Sequence, residues 1–462
     1  MSILVLLAGV YLLHLLLKMN WIATVVTAVC LLLGLQKHKA LYRRMKEENL
    51  RFEETSEYLD TLLYAFGKEE KAERALADTE AAMEDSPLRE LVWDALDHIH
   101  MTFDDTDVMR DSLKIIEVGY PCSRIKSVHD FMIHVENYGG EIIKQIELLL
   151  SDKRRWEERV RVAMQERKKM FTDIVLSVAA SLVICCMILH LPVMNVDVTK
   201  SAFSQILTVA VLLLDDLILM KAQKYLAKDW IALGNSTEPD GEQRMRSYYQ
   251  YNKSKDKRMS VILSIPVILL TGYFFFCGKQ MLAAIGVFGI LLMVNQHKIG
   301  RHLAKKNIVK SIRSAFPGWL MDMILLLQSE NVQVALMKSM QHVPGILAWD
   351  LQLLLDRLPM EPESAEPYHA FLQDFKIPEV HSAMRMLYSI SMGHSAKADE
   401  QIGELVGRNL KMLDEAETQR LKDLNSGMYL LFLAPIVTAS VKLLADMAVF
   451  MLAFLAGAGF GG

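Results

Sequence analysis

The chain has few cysteines, and they show no pattern that would bind a metal or build a disulfide framework. Its 462 residues include five cysteines, and none of them belongs to a C-x-x-C pair. Four of the five lie in or beside apolar runs, where a free thiol behaves as a small apolar side chain. Neither a zinc site nor a disulfide-stapled fold is therefore expected.

The motifs of the common enzyme classes are also missing. The sequence has no phosphate-binding G-x-x-x-x-G-K-[ST], no zinc-binding H-E-x-x-H and no nucleophile elbow G-x-S-x-G. Its histidines lack the spacing of a helical metal site: these are His98 and His100 beside Asp104 and Asp105, and the pair His129 and His134. The sequence therefore predicts no metal, no cofactor and no enzymatic activity.

A strong excess of charge of either sign is absent as well. The formal net charge is −4, which is too small to indicate a nucleic-acid partner. Hydrophobic residues make up 52% of the chain and charged residues 23%, and the lysines and arginines cluster beside apolar runs. This mixture favours polar domains that alternate with membrane-spanning segments.

What is present is a pair of long apolar runs in the middle of the chain, at 172–191 and 202–220. About 20 apolar residues suffice to cross a bilayer core of about 30 Å. Basic residues crowd the outer ends of the pair and are almost missing from the turn between the runs. By the positive-inside rule, 171–221 is predicted to be a transmembrane hairpin with both ends in the cytoplasm.

Three further apolar stretches complete the predicted membrane part. Residues 1–36 and 259–296 each contain two apolar runs separated by a short polar turn, and each predicts another hairpin. Residues 428–460 form a terminal membrane stretch, and the sequence leaves open whether it is one tilted span with an interfacial segment or a tight hairpin. The predicted protein is therefore a multi-pass protein of the cell membrane, with its soluble parts in the cytoplasm.

The remaining segments are polar and show a helical period without any alternating strand pattern. Residues 58–66 repeat apolar side chains at the 3, 4 spacing of an amphipathic helix, which Gly67 is expected to end. Ser86 and Pro87 have the residue types of an N-cap and of the first helical position. The sequence predicts an all-α fold with two cytoplasmic helical-bundle domains, 52–170 and 312–425, and a cytoplasmic linker at 222–258.

This layout is repeated along the chain. An apolar hairpin, a basic stretch, a soluble helical domain and an apolar terminus follow one another twice, at an offset of about 260 residues. The first soluble domain also aligns with the second at the residue level, where 58–76 matches 319–336. We therefore expect an internal duplication.

Four ionisable residues inside the apolar segments are the candidate functional residues. Asp215 and Asp216 are adjacent, whereas Lys442 and Asp446 stand four residues apart and are expected to pair on one helix face. Such residues are costly in a membrane span and indicate function by default. The Asp pair is expected at headgroup depth, solvated or paired across the bundle, and the alternatives are contact with a partner, a proton role or catalysis.

Gly139 and Gly140 separate two predicted helices, 127–138 and 141–169. Glycine readily adopts the left-handed conformation that ends a helix, so the pair is predicted to form a C-cap. A moving joint between the two helices is the alternative.

Short segments at matching places of the two halves are similar to a known family. In the first half these are EYLDTL at 57–62, PLREL at 87–91 and YGGEI at 138–142, and in the second half FPGWL at 316–320, QSENV at 328–332 and RN at 408–409. Together they resemble the F-domain of type II secretion and of type IV or Tad pilus systems, whose polytopic platform proteins lie in the inner membrane. The second copy lacks a double glycine, and each copy carries its own N-terminal hairpin, as if two Tad platform subunits were fused.

The resemblance implies a non-enzymatic platform. Its expected partners are a cytoplasmic secretion or pilus ATPase, pilin-like subunits, membrane lipid and, in a homo-oligomer, further copies of itself. The alternative is a duplicated membrane transporter or channel that uses Asp215 and Asp216. An intramembrane aspartyl peptidase is a third class, but its usual glycine-aspartate motifs in two separate spans are missing.

Overall fold

The computed structural model describes residues 2–101, 108–139, 142–190, 201–231, 240–251, 253–276, 280–327, 330–393 and 398–458. About 90% of these residues are helical and none of them is in a strand, which confirms the all-α prediction. In chain order the helices are α1 Ser2–Leu16, α2 Trp21–Glu69, α3 Ala72–Ala82, α4 Pro87–Met101, α5 Val108–Gly119, α6 Ser123–Tyr138, α7 Ile142–His190, α8 Ala202–Leu226, α9 Gly241–Tyr249, α10 Lys253–Phe276, α11 Gln280–Leu326, α12 Val332–Ser339, α13 Gly345–Arg357, α14 Glu366–Ala370, α15 Pro378–Met392 and α16 Ala398–Ala458.

The chain forms two compact units. The first contains Met1–His129, Leu148–Leu233 and Thr418–Gly462, and the second contains Asp130–Glu147 and Gly234–Glu417. The first unit therefore combines the N-terminal helices with α8, with α7 from Leu148 onward and with α16 from Thr418 onward. The second unit combines α9 to α15 with the beginning of α16.

Among the described residues, four helices are long and apolar enough to cross a membrane: α2, α7, α8 and α16. Many of their apolar side chains point outward; Leu430 and Leu444 of α16, for example, are 72% and 67% exposed. Large apolar side chains on the outer surface of a helix are expected where lipid surrounds it. The helix α1 is apolar as well, but shorter.

Three of the predicted apolar stretches correspond to observed helices, each with a notable feature. The break expected in the first stretch lies at 17–20, where Lys18 has a φ of +46°. The stretch 259–276 lies in α10, and the turn predicted at 277–279 lies outside the described residues. The terminal stretch 428–460 runs within the single helix α16 as far as Ala458, which excludes the tight hairpin.

The helices α2 and α7 continue from apolar into polar sequence without a break. Each has 49 residues and is therefore about 70 Å long. The helix α7 contains no glycine and no proline, and Glu157 bonds Lys153 and Arg161 at i±4, at 2.8 and 2.9 Å, which supports a continuous helix. The expectation that Gly67 ends its helix is wrong, since α2 continues to Glu69 and ends at Glu70, whose φ is +54°.

In the first unit, the second half of α2 packs with α3, α4 and α5, and α7 completes this first bundle. Phe52 of α2 and Trp156 of α7 meet edge to face with ring centroids 5.0 Å apart. The buried His129 ring lies between the Tyr58 hydroxyl, at 2.8 Å, and a Glu117 carboxylate oxygen, at 3.0 Å. This histidine is therefore a satisfied core residue rather than a metal ligand.

Other local predictions for the first bundle can be checked directly. The Arg89 backbone N–H donates to Ser86 Oγ at 3.2 Å, so the predicted N-cap is confirmed. His98 pairs with Ser112 Oγ at 2.9 Å, and His100 pairs with Glu73 Oε1 at 3.1 Å. Residues 102–107, which include Asp104 and Asp105, lie outside the described residues.

In the second unit, α9 and the end of α11 pack with α12 to α15 to form the second bundle. Phe316, Trp319 and Phe371 form an aromatic core in which the Trp319 and Phe371 rings stack at 6.1 Å. Glycine is required where α10 and α11 approach each other, because a Cβ at Gly286 would overlap the hydroxyl oxygen of Thr271. Small residues commonly allow such close packing of apolar helices.

Asp350 of α13 is a buried carboxylate in this second bundle. Its Oδ1 accepts a hydrogen bond from the Tyr249 hydroxyl of α9 at 3.1 Å. Burial, with a smaller contribution from the nearby Asp374, raises the pKa of Asp350 from 3.8 to about 6. Because the folded state holds this proton more tightly than the unfolded state, Asp350 loses its favourable contribution to stability as the pH rises from about 4 through 6.

We expect Asp350→Asn to reduce the pH dependence of stability. The amide stays neutral at every pH, so the variant should match or exceed the wild-type Tm at pH 7.5. Between pH 4 and 7.5 its free energy of unfolding should change with pH by up to about 3 kcal/mol less than that of the wild type. Thermal unfolding of detergent-solubilised protein across this range measures the effect. Asp356→Asn on the exposed face of α13 is the control, and an equal change in both variants would contradict the assignment to Asp350.

Candidate functional site

Polar side chains, most of them buried, form a series of contacts between the apolar helices of the first unit. We call this set the polar ladder; its members belong to α2, α7, α8 and α16, and all lie in the first unit. They are His38, Arg167, Ser177, Ser181, Ser204, Asp215, Asp216, Gln223, Asn425, Thr438, Lys442 and Asp446. Four of the predicted site residues belong to this set.

The first rung is the ion pair between Lys442 and Asp446 on α16. Lys442 Nζ lies 2.5 Å from Asp446 Oδ2, as the i, i+4 spacing predicted. Ser204 of α8 donates its hydroxyl to the other carboxylate oxygen at 2.7 Å. The two charged side chains are 0% and 2% exposed, so neither charge has water to stabilise it and each depends on the other.

The second rung is centred on Asp215 of α8. One carboxylate oxygen accepts the Ser181 hydroxyl of α7 at 3.0 Å, and the other accepts the Thr438 hydroxyl of α16 at 3.2 Å. A further bond joins α7 to α16 directly, because Ser177 Oγ donates to the Phe432 carbonyl at 2.8 Å. Asp215 is buried and bonds to two neighbouring helices, which is the second of the two arrangements expected for it, pairing across the bundle.

Asp216 faces a different neighbour. Its Oδ1 lies 3.1 Å from Nε2 of His38 on α2, and the His38 Nδ1 lies 2.6 Å from the Gln223 side-chain oxygen. A Cβ at Gly34 would come within 3.3 Å of the Asp216 carboxylate, so glycine leaves room for it. The two adjacent carboxylates thus bond to different helices, and a shared proton, as in an aspartyl dyad, has no support in this geometry.

The last rung is built on Arg167 of α7. Its Nε donates to Asn425 Oδ1 of α16 at 3.0 Å, and its Nη1 donates to the Tyr225 carbonyl of α8 at 3.3 Å. The guanidinium also lies 4.1 Å from the centre of the Trp230 ring, a cation–π contact that is strongest when desolvated. Arg167 is fully buried and ties three segments together.

Arg167 belongs to the basic run 153–169, which leads into the predicted hairpin at 171–221. Such a run is expected to be solvated and to set the membrane topology. The structure instead buries Arg167 and also buries Lys153, which pairs with Asp60 at 2.5 Å. The helical period of the sequence does indicate that Lys153 and Arg167 are buried. They recur with Trp156, Val160 and Ala163 on one face of α7, at spacings of three and four.

Of the two glycines predicted to form a C-cap, Gly139 lies within the described residues and behaves as expected. Gly139 follows α6 with a φ of +72°, and its N–H donates to the Val135 carbonyl at 2.7 Å. This left-handed residue is the predicted C-cap. Gly140 lies outside the described residues.

We expect the ion pair to stabilise the first unit only as a pair. Lys442→Met or Asp446→Leu alone leaves one buried charge without its partner and should cost about 3–5 kcal/mol, whereas the double substitution should cost much less than the sum. A double-mutant cycle on the Tm of detergent-solubilised protein measures the coupling. Additive losses would contradict a coupled pair, and Ser440→Ala, at an exposed position of α16, is the control.

Arg167 and Lys168 are adjacent cations that the structure places in opposite environments, one buried and one exposed. Arg167→Gln should lower the free energy of unfolding by about 2 kcal/mol or more, because charged hydrogen bonds inside the protein are lost. Lys168→Gln removes the same charge from the same basic run and should leave the Tm within about a degree. Equal effects of the two substitutions would show that only the net charge of the run matters.

The contacts of the polar ladder alone do not assign the chain to a class of proteins. Among the described residues, no three His, Cys, Asp or Glu side chains lie close enough together to hold a metal ion. Comparison of the chain with protein-family models, with curated proteins and with solved structures found no match. Its function is therefore inferred from the geometry of its own helices and polar groups.

Proposed function

We propose that this chain is the inner-membrane platform of a pilus or type II-like secretion assembly machine. In this role it couples a cytoplasmic ATPase to the extraction and polymerisation of pilin-like subunits and carries out no chemistry itself. The observation that carries the proposal is the unbroken connection between apolar and soluble parts. The long helices α2 and α11 each lead from an apolar segment into a bundle, and α7 and α16 each lead onward into another apolar segment.

The order of the helices supports the duplication that this proposal includes. Long helices of 49 and 47 residues begin at Trp21 and Gln280, 259 positions apart. Long returning helices begin at Ile142 and Ala398, 256 positions apart. In each half, the first long helix is preceded by a helix that is apolar over most of its length: α1 comes before α2, and α10 comes before α11. Two fused copies of one module would give this order.

The membrane topology in the proposal rests on hydropathy and charge. The chain is multi-pass, with its bundles in the cytoplasm, because basic runs follow residue 36 and precede residue 171. This arrangement presents both bundles to cytoplasmic partners. A platform needs such surfaces, and exposed aromatic side chains on the bundles, Trp93 in the first and Trp349 in the second, are suited to protein contacts.

Rigid connection is the second physical requirement of a platform. A force applied to the first bundle acts on α7, which lacks the glycine or proline at which helices usually kink. Arg167 then links α7 to α16 and to the end of α8. The apolar helices of the first unit would therefore move together rather than one at a time.

A duplicated transporter or channel is the second candidate, and the polar ladder is the observation that favours it. Buried Asp215 and the Lys442–Asp446 pair are the kinds of groups that line ion paths. The two functions differ in a measurable way. Proton or cation flux into proteoliposomes that is lost in Asp215→Asn would support the transporter, and a platform would show none.

Photo-crosslinking in cells tests the platform directly. A photoreactive residue at exposed bundle positions, Trp93, Val118, Trp349 or Met360, should capture a secretion-type ATPase from at least one position. The matched position Leu444, exposed on the apolar part of α16, should capture lipid or a pilin-like subunit but no ATPase. Mass spectrometry identifies the adducts. Failure to capture an ATPase at all four bundle positions, while filaments assemble normally, would overturn the proposal.

A further inference from the structure

A cleft of about 840 Å³ lies within the second unit, between α9, the first turns of α10 and the middle of α11. One wall is polar and aromatic and comes from α9, the residues after it and α11. The opposite wall is apolar and includes Met259 and Leu263 of α10, which are 52% and 49% exposed. The cleft thus joins a region that can hold a charge to a region that can hold hydrocarbon.

Arg301 of α11 is the central group of the polar wall. Its guanidinium carbon lies 4.4 Å from the centre of the Tyr251 ring and 5.6 Å from that of Tyr248. The Tyr248 ring in turn packs 5.2 Å from Phe375, so the aromatic support is itself held in place. Cation–π contacts fix the guanidinium plane without using its N–H donors.

Those donors are available for an anion. Among the described residues, no carboxylate lies at ion-pair distance from Arg301. Arg244 and His297 also line the cleft, and Asp240 is the one carboxylate among its described lining residues. A guanidinium held flat and facing a cleft is suited to bidentate contact with a phosphate.

The position of the cleft along the chain points to the source of that phosphate. Lys257 and Arg258 precede the apolar run of α10, which begins near Met259, and the apolar run of α11 ends near Gln296. The cleft therefore lies where both helices change from apolar to polar. If α10 and α11 enter the membrane, as in the proposed function on which this inference rests, this change places the cleft at the depth of the lipid headgroups.

We infer that this cleft is a binding site for the phosphate headgroup of an anionic phospholipid. The phosphate lies against Arg301, with Arg244 on the same polar wall. The acyl chains run along Met259 and Leu263, which line the same cleft as Arg301. A free phosphate would contact the polar wall alone, whereas a phospholipid would contact both walls.

The experiment uses the full-length protein in nanodiscs that contain equal amounts of phosphatidylglycerol and phosphatidylcholine. Native mass spectrometry after release counts the lipids of each class that stay bound. Arg301→Gln should reduce retention of phosphatidylglycerol about tenfold, which corresponds to the loss of one charged bidentate contact. Tyr251→Leu, which removes the nearer ring, should reduce it in the same direction.

The matched control is Arg258→Gln, which removes an exposed cation near the same end of α10 but outside the cleft. Retention that falls equally in Arg258→Gln and Arg301→Gln would overturn the inference, since a diffuse surface charge would then explain it. A second arm adds inorganic phosphate to protein in phosphatidylcholine alone. If phosphate raises the Tm of wild type but not of Arg301→Gln, and phosphatidylglycerol has no such effect, the source is free phosphate and the lipid site is rejected.

Membrane insertion is measured separately, by extraction of cell membranes with alkaline carbonate. Wild type and Arg301→Gln should both remain in the membrane pellet. Loss of wild type from the pellet would overturn the proposed membrane platform and the lipid site together. Retention in the pellet with unchanged lipid counts in Arg301→Gln would reject the lipid site and leave the platform standing.

Discussion

The first unit depends on one helix, α8, which bonds through polar groups to each of its apolar neighbours. Ser204 contacts α16, Asp215 contacts α7 and α16, and Asp216 contacts α2. At the start of α8, the Gln205 side chain accepts from the Asn20 N–H and donates to the Lys18 carbonyl in the turn before α2. In lipid, apolar side chains gain little by packing against each other, so such bonds carry much of the specificity of helix association.

The contacts of α8 with several helices explain why the adjacent Asp215 and Asp216 have different environments. Successive helical residues point about 100° apart, so Asp215 faces α7 and α16 while Asp216 faces α2. Each carboxylate is satisfied by its own neighbours, and together they hold three helices around α8. A catalytic dyad needs the opposite arrangement, in which two carboxylates from separate helices converge on one substrate bond.

The sequence was informative wherever a pattern is local. The 3.6-residue period located most of the helices, the i, i+4 spacing identified Lys442 and Asp446, and the residue types at Ser86 and Gly139 marked their caps. It was less informative about the lengths of the helices. Polar sequence after residue 36 reads as the end of a membrane segment, yet backbone hydrogen bonds continue regardless of polarity, and α2 extends to Glu69. Gly67 did not stop it, because glycine weakens a helix by only about 1 kcal/mol.

Contacts between distant segments could not be predicted in this way. Ser181, Thr438 and Ser204 are ordinary small polar residues in apolar helices, and only the packed structure reveals which carboxylate each one serves. The burial of Arg167 was not predicted for a different reason. A run of basic residues looks uniform until the position of each residue around the helix is considered. The buried face of α7 selects two cations from this run, Lys153 and Arg167, for internal contacts and leaves neighbours such as Lys168 exposed. One basic segment can therefore serve two physical purposes, internal bonding of the helices and orientation in the membrane, and the helical phase of each residue decides which one it serves.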